Sequence, residues 1–407
     1  MMNKNLALLG GIPVHTGKWP FFHTIGDEEK EAVAKVLDSG ELSAFIAAPG
    51  PRFEGGAAVQ KLEQAWGDYF RVPYSISMNS ATTAIWAALK ACEINLEDEV
   101  IMPQLGMSAI AASTVLCGAI PIFADCHPET MLIDPGSIQE LITSQTKAII
   151  VVHLAGQIAP MEEILNLAKR HNLRVIEDNA QAIDARYQEN FGGTIGDIGV
   201  FSLNCHKIIQ SGEGGVACTH DKTLAEKLKL IRNHAEKCVH AWPEKFHHLF
   251  GLNLRMTELE AAVAYEQLKK LPRLSSETVK RVRFIESFSY PEYIRLAKKS
   301  PHSTHVYYIY HWSYKSDDAP IPAGMFAQAL QAEGFPIYAN YGYLISELAP
   351  FQKYHDEQSK KTKNWPGSRE AIKNSLWTMG LRPNIGFDLL EKMQQAFIKV
   401  DKQSKLL

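Results

Sequence analysis

The chain lacks a C-x-x-C pair, a G-x-x-x-x-G-K-[ST] loop, an internal repeat and any low-complexity tract. Its six cysteines (Cys92, Cys117, Cys126, Cys205, Cys218, Cys238) are scattered, mostly within apolar segments where a free thiol behaves as a small hydrophobe. This pattern predicts reduced thiols in a cytoplasmic protein rather than a disulfide framework. An excess of positive charge is also missing. Lys and Arg number 42 against 45 Asp and Glu, a formal net charge of −3, so no basic field invites nucleic acid or an anionic membrane. Nor is there a long uninterrupted hydrophobic run. Residues 100–124 carry no charge, but Pro103, Gln104, Gly106, Ser108, Gly118 and Pro121 break the stretch, which suits strand, loop, helix and strand better than a bilayer span. At the start, "MMNKNLALLGGIPVHTGKW" has too short an apolar core for a signal peptide.

What is present is a regular alternation. "EVIMP", "IPIFAD", "KAIIVVHLAG", "LRVIEDNAQA", "IGVFSL" and "GGVACTH" read as buried strands, with helical patterns such as "AIAASTVLCG" and the amphipathic "MEEILNLAKRHN" between them. Continuous apolar strands separated by helices predict an α/β layer fold whose mostly parallel sheet is covered on both faces. This large domain is placed at residues 53–271. Beyond it, residues 272–407 predict a smaller α+β domain: charged helix "SSETVKRVRFIESF", aromatic strand "HVYYIYHWSY", then helices "AGMFAQALQAEGF" and "SREAIKNSLW". Residues 1–52, with the acid-started, glycine-ended helix "GDEEKEAVAKVLDSG", are assigned to pack on the small domain and the site.

Ligands of parallel α/β sheets bind beyond the carboxyl ends of the strands, and three such places are polar. In "SMNSATTAIWAALKAC", Asn79, Ser80, Thr82 and Thr83 open an apolar helix. They read either as a simple N-cap or as a seat for phosphate at the positive end of the helix. In "VIEDNAQAIDARY", Glu177 and Asp178 end a buried strand, where a carboxylate is costly unless it meets a cation, with Gln181 three residues on. In "GDIGVFSLNCHKIIQSGEGGVACTH", Lys207 follows a strand containing Ser202, and glycines follow it. A lone strand-end lysine usually reaches for water. A pyridoxal phosphate site, however, needs a lysine, an acid facing the pyridine nitrogen and a helix-end phosphate cradle, and would use all three places. His153, ending "IIVVH", is either a satisfied strand-end histidine or a site-lining one. Cys205 and His206 form no nucleophile–base pair by adjacency alone, and His247 and His248 lack metal-ligand spacing, so no metal is expected.

Taken in order, these motifs resemble the DegT/DnrJ/StrS family of PLP-dependent sugar aminotransferases. "NSATTAI" is similar to the family's phosphate-binding S-G-T-A-A-L stretch, "EDEVIMP" to G-D-E-V-I-x-P and "VVHLAGQIAPM" to V-H-L-x-G-Q-x-x-D-M. "VIEDNAQA", "FSLNCHKIIQSGEGG", "IRNHA" and "GLNLRMTELEAAV" match V-I-E-D-A-A-Q-A, F-S-x-x-x-x-K…G-E-G-G, L-R-N-H-G and G-x-N-x-R-M…A-A. The resemblance implies the fold type I architecture of aspartate aminotransferase, a large domain with a mostly parallel sheet of seven strands plus a smaller α+β domain. It implies that Lys207 forms the Schiff base with pyridoxal 5'-phosphate, Asp178 faces the pyridine nitrogen, Gln181 lies near the phenolic oxygen and Ala180 packs against the ring. Ser80, the amide of Ala81, Thr82 and Ser202 become phosphate ligands, and Asn253 reaches the phosphate of the other subunit in a homodimer with shared sites.

The implied reaction moves an amino group from L-glutamate or L-glutamine to a keto-sugar or keto-cyclitol. His153, Tyr341 and Tyr343 are the substrate candidates. Three departures stand out: Ala81 replaces a glycine, Met107 stands where many members stack an aromatic ring on the cofactor, and Glu41 replaces a tryptophan in a lengthened segment. Two other readings remain open at this point. PLP-dependent sugar dehydratases of the family typically carry a histidine at the lysine position, which here is Lys207; a non-catalytic regulatory or binding member would keep the fold without the chemistry.

Overall fold

The computed structural model describes residues 5–235, 244–246, 248–360 and 364–407; Cys238 and His247 lie outside the described residues. Helix α1 (Asp27–Ser39) begins where the Glu29 carboxylate reaches back to the Gly26 amide at 2.7 Å, and ends at Gly40 with φ +70°. Three acids in its first turn suit the positive end of its dipole. The glycine supplies the left-handed residue that closes such a helix.

The main sheet contains β1 (Tyr74–Met78), β2 (Glu99–Pro103), β3 (Ile120–Ala124), β4 (Thr146–Val152) and β5 (Arg174–Asp178). A short hairpin, β6 (Arg186–Tyr187) and β7 (Asn190–Phe191), precedes its last two strands, β8 (Ile198–Ser202) and β9 (Gly215–Thr219). The order is β1-β9-β8-β5-β4-β2-β3 in a sheet of seven strands, and β9 alone runs against its neighbours. Helices α2 (Ala57–Phe70), α3 (Ala81–Ala91), α4 (Ala109–Leu116), α5 (Pro135–Leu141), α6 (Met161–His171) and α7 (Lys222–Arg232) join and cover these strands. Ile149, Ile150, Ile176, Ile198 and Val200 are wholly buried, as residues of strands covered on both faces must be. The mostly parallel sheet is therefore as the apolar runs predict.

Helix α8 (Glu258–Glu286) then runs 29 residues straight through Pro272. The chain thus passes residue 272, placed from the sequence at a domain boundary, inside a helix and without a linker. A second sheet follows, in the order β10 (Ile294–Leu296), β11 (Tyr310–Tyr314), β13 (Ser375–Thr378), β12 (Tyr338–Ala339). It packs with α9 (Ala323–Ala332) and α12 (Phe387–Gln403) around Trp312, Phe326 and Phe397. Leu6, from the N-terminal segment, is buried in this second core.

Three local differences from the sequence reading have physical causes. "HVYYIYHWSY" is a strand only from Tyr310: Tyr307 has φ +55°, and Val306 and Ile309 donate instead to the carbonyls of Gly156 and Ala155. "SREAIKNSLW" is helix α11 (Pro366–Lys373) followed by β13, because Ser375–Thr378 finds ladder partners on both sides. Residues around α10 (Gln352–Ser359) and α11 belong to the main core, where they cover the edge strand β3. Gln358 hydrogen-bonds Phe123 N and Pro121 O at 3.0 and 2.7 Å, and Trp365 Nε1 donates to Phe123 O at 2.7 Å. These side chains satisfy the backbone that an open edge would expose.

Beneath the carboxyl end of the sheet lies a buried ionic anchor. Glu177, with no exposed surface, accepts from the amides of Gly193, Ile195 and Gly196 at 2.9, 2.7 and 2.6 Å. His153 Nε2 completes it at 2.8 Å, and because Ala159 N–H donates to Nδ1, the ring proton sits on Nε2. Burial pushes the Glu177 carboxyl up, but His153 and the amides of Gly196 and Gly193 outweigh it and hold the group below its usual range. A depressed folded pKa stabilises above the unfolded value of about 4.3 and is lost as pH falls through the folded value.

Two outcomes follow. Glu177→Gln should lower unfolding free energy by roughly 1.5–3 kcal/mol at pH 7, and the gap to wild type should narrow below about pH 4; urea melts at several pH values read this directly. Elsewhere, Glu258 is buried and accepts from Gly56 and Ala58 amides at 2.9 and 2.8 Å, capping α2 from α8. Glu258→Ala orphans those donors and should cost about 1–3 kcal/mol in the same assay.

Candidate active site

The ends of β4, β5 and β8 lie side by side, since Asp178 pairs with Val152 on one flank and Val200 on the other. Successive residues of a strand face opposite ways, so Glu177 and Asp178 serve different sides of the sheet. Glu177 is consumed by the anchor described above. Asp178, only 5% exposed, accepts a single hydrogen bond on its side chain, from Ala180 N at 3.1 Å. Burial raises its carboxyl above the usual range, opposed by the Ala180 amide, by Lys207 and by His153. It is a buried acid that makes no salt bridge among the described residues.

Lys207 sits in the turn between β8 and β9, its amide bonded to Asn204 O at 2.9 Å. Its Nζ lies 4.4 Å from the centroid of the Tyr308 ring, a cation–π contact, and forms no salt bridge among the described residues. The glycines that follow explain themselves through β9. Gly215 pairs with Ser202 on one side and Met78 on the other, and Gly214 bridges to Ser80. A Cβ on Gly215 would stand 2.5 Å from Ala81 N and from Ser80 C, distances no side chain tolerates. The missing side chains let the start of α3 close against the end of β8.

That closure assembles the helix terminus. Ser80 is the N-cap of α3, accepting from Thr83 N at 3.1 Å, and Thr83 Oγ1 donates to Asn79 Oδ1 at 2.6 Å. The simple capping role is therefore real for Ser80. It leaves the amides of Ala81 and Thr82 pointing out of the first turn with no hydrogen bond among the described residues, as the first turn of any helix does. The two readings of this stretch are compatible: one hydroxyl caps while neighbouring amides stay free for an anion. Ser202, 7% exposed, lies across β9 from them.

On the opposite side of Asp178, Ala180 and Gln181 line a narrow cavity with Ile208, Val306, Tyr308 and Arg382. Gln181 Oε1 accepts from Ala155 N at 2.8 Å and its side chain also reaches the Tyr341 phenol. Burial, with Tyr308 beside it, pushes that phenol's pKa up. The structure thus gathers Ala180, Gln181, Lys207 and Tyr341 around Tyr308, with Asp178 in reach of the Lys207 charge, and Ser80, Ala81 and Ser202 around Gly215. His153 is turned inward, fully buried, with both ring nitrogens spent on Glu177 and Ala159. Met107 and Tyr343 are exposed, at 63% and 45%. Asn253 is exposed as well, its Oδ1 accepting from Arg255 Nε at 2.8 Å.

Two residues at the site carried no sequence signal. Tyr308 was one aromatic among many in a stretch read as strand, and only the positive φ of Tyr307 turns it towards Lys207. Arg382 is a single arginine in the loop between β13 and α12, with no motif around it.

Known proteins give this geometry a context. The chain is 32% identical over 356 residues, 84% of its length and 82% of the relative's, to the L-glutamine:2-deoxy-scyllo-inosose aminotransferase of Streptomyces kanamyceticus. It is 38% identical over 243 residues to the GDP-perosamine synthase of Caulobacter vibrioides, covering 60% of this chain and 62% of that one. Among solved structures, the aminotransferase from Psychrobacter cryohalolentis superposes with a TM-score of 0.81 at 30% identity, covering 94% of this chain and 98% of the other. Residues 23–393 match one family over nearly the whole fold. With a fold type I architecture, a turn lysine and a buried strand-end acid in that family's order, the chain belongs to the DegT/DnrJ/EryC1/StrS aminotransferase family.

Proposed function

We propose that this protein binds pyridoxal 5'-phosphate and moves an amino group from L-glutamine or L-glutamate to the ketone of a sugar or cyclitol. The observation that carries the reading is the convergence of Lys207 and the buried, singly bonded Asp178 at neighbouring strand ends. The residues present fit the cofactor. Free amides of Ala81 and Thr82, with the Thr82 hydroxyl and Ser202, offer donors to a phosphate; Asp178 offers a carboxylate whose burial makes an ionic partner favourable. Ala180, with only a methyl side chain, leaves a flat wall for a planar ring, and Gln181 stands beside it as a hydrogen-bonding edge.

When bound, the cofactor supplies an electron sink for the carbon that loses its proton. The chain's own residues supply the rest. Asp178 would hold a positive charge on the cofactor's ring nitrogen by pairing with it, which a buried carboxylate does more strongly than an exposed one. Lys207 Nζ is the amine that would take the proton from the donor's α-carbon and hold it. Tyr308 beneath Nζ restricts where that amine can swing. Glu177, anchored on its own side of β5, keeps His153 and the loop after β4 in place without touching the reactants.

Supporting a keto-cyclitol or keto-sugar acceptor is the likeness to two relatives whose names specify such substrates. Tyr341 and Tyr343, on the segment that follows β12, are proposed to meet it, and His153 is proposed to position Glu177's side of the site rather than to bind. A homodimer is also proposed, with the exposed Asn253 of one subunit completing the phosphate seat of the other, in the cytoplasm.

Purified protein given pyridoxal phosphate should show a visible absorption band that shifts on L-glutamine or L-glutamate. Lys207→Ala should lose both the lysine-linked band and at least about 10²–10⁴ of turnover. Asp178→Asn should keep the fold and the band's attachment to Lys207 but lose roughly 10²–10³ in the donor half-reaction. A wild type without the band, or a Lys207→Ala variant that keeps it, would overturn the assignment.

A further inference from the structure

The second sheet has two faces, and only one of them is spent on its own core. Tyr310, Trp312 and Tyr314 of β11 and Leu376 of β13 point into that core. Successive residues of a strand face opposite ways, so His311, Trp377 and Tyr338 lie on the other face. They stand in one row across β11, β13 and β12, because His311 pairs with Trp377 and Trp377 with Tyr338. This face is turned towards the loop between β3 and α5: His311 Nε2 lies 3.4 Å from Glu129 O.

From the middle of that row an aromatic surface runs on to the site. The Tyr338 ring lies 4.9 Å from the Trp377 ring at 34°, and the Tyr341 ring 5.5 Å from it at 83°. Asn340 N and Tyr341 N donate to Ser375 O and Ser375 Oγ at 3.1 and 2.8 Å, which holds the segment after β12 alongside β13. Tyr341 in turn reaches Gln181 and stands beside Tyr308, whose ring carries Lys207 Nζ. Tyr338 and Tyr343 are 43% and 45% exposed, and Trp377 and Tyr341 are only partly buried. Folding alone gives no reason to leave several large rings in water on one surface, and such patches mark ligand contacts.

Charge narrows the ligand. Residues 334–346 and 374–381, which build this surface, include no Lys, Arg, His, Asp or Glu. The first cation beyond β13, Arg382, is buried against Tyr308 and Phe22 instead. A nucleotide-linked sugar brings a diphosphate, which calls for cations or oriented amides. A keto-cyclitol or free keto-sugar brings no charge: the C–H faces of its ring are apolar and its rim carries hydroxyls. Aromatic side chains with an apolar body and a polar tip match both parts.

We propose that the acceptor's ring lies against this aromatic row with Trp377 as its central contact, and that the acceptor is a neutral keto-cyclitol or free keto-sugar rather than a nucleotide-linked one. The proposal rests on the transaminase reading given above. It gives Trp377 and Tyr338, which no motif announces, a role in choosing the ketone.

The test separates donor from acceptor on the holoenzyme. The spectral shift with L-glutamine gives the donor half-reaction. Its reversal by scyllo-inosose, a neutral keto-cyclitol, or by a GDP-linked 4-keto-6-deoxyhexose gives the acceptor half-reaction. Calorimetry with scyllo-inositol and with GDP reads binding without turnover. Wild type should be reversed by scyllo-inosose and bind scyllo-inositol, and should respond at least about ten-fold less well to the GDP-linked ketone. Trp377→Leu should raise the KM for scyllo-inosose, and the Kd for scyllo-inositol, by about ten-fold. Its KM for L-glutamine should stay within about two-fold of wild type. Trp377→Phe, which keeps a ring, should recover most of the loss. Reversal by the GDP-linked ketone alone, or by neither ketone, would overturn the proposal. So would an unchanged acceptor KM in Trp377→Leu, or an equal loss of both half-reactions in the two variants. A wild type with no donor-induced shift would instead overturn the transaminase reading itself.

Discussion

Two adjacent carboxylates end a strand that is buried on both faces, and each has to be neutralised from its own side of the sheet. Glu177 is answered entirely from within, by three amides of the 193–196 loop and by His153. Those bonds draw the loop after β7 and the end of β4 against β5, so the strand ends cannot drift. Asp178 is answered only partly, by one amide and the nearby Lys207 charge. The same desolvation cost that Glu177's partners outweigh prevails at Asp178, whose carboxyl is raised above its usual range. A one-residue shift of β5 would exchange the two faces and lose both the anchor and the site.

The second constraint is steric. Lys207 and the helix terminus of α3 belong to segments more than a hundred residues apart, and β9 is what brings them together. It does so as the single strand running against the rest, inserted between β1 and β8, and the close approach of α3 requires that Gly215 have no side chain. Local chain conformation and sheet topology here serve the same end. The turn that presents the lysine and the turn that admits the helix terminus are two halves of one loop between β8 and β9.

Much of this was legible in the sequence, for reasons that also mark where reading stopped. Buried parallel strands are apolar throughout, so β4, β5 and β8 stand out, and the residues just past their ends are polar only where something needs them. Lys207, Asp178 and Gln181 were visible on that account, and Ser80 through its cap. The parts that were not visible depend on tertiary partners. "SLW" after α11 is a strand because β11 and β12 flank it, and nothing in the tripeptide announces them. His153 could be read either way until Glu177 and Ala159 were seen to occupy both its nitrogens. Tyr308 depends on one positive φ beside it, and Arg382 on a burial that its neighbours in sequence do not suggest.

Charge gives these separate features a common logic. Within the site region Asp178 is the buried acid, while Lys207, the free amides of α3 and Arg382 are positive or partly positive. The protein alone therefore leaves this region short of negative charge at separate places: the helix terminus beside Gly215, and Lys207 and Arg382 beside Tyr308. An anion at the helix terminus would meet the free amides there without consuming the Lys207 amine. Electrostatic complementarity of this kind sets orientation more strongly than it sets affinity.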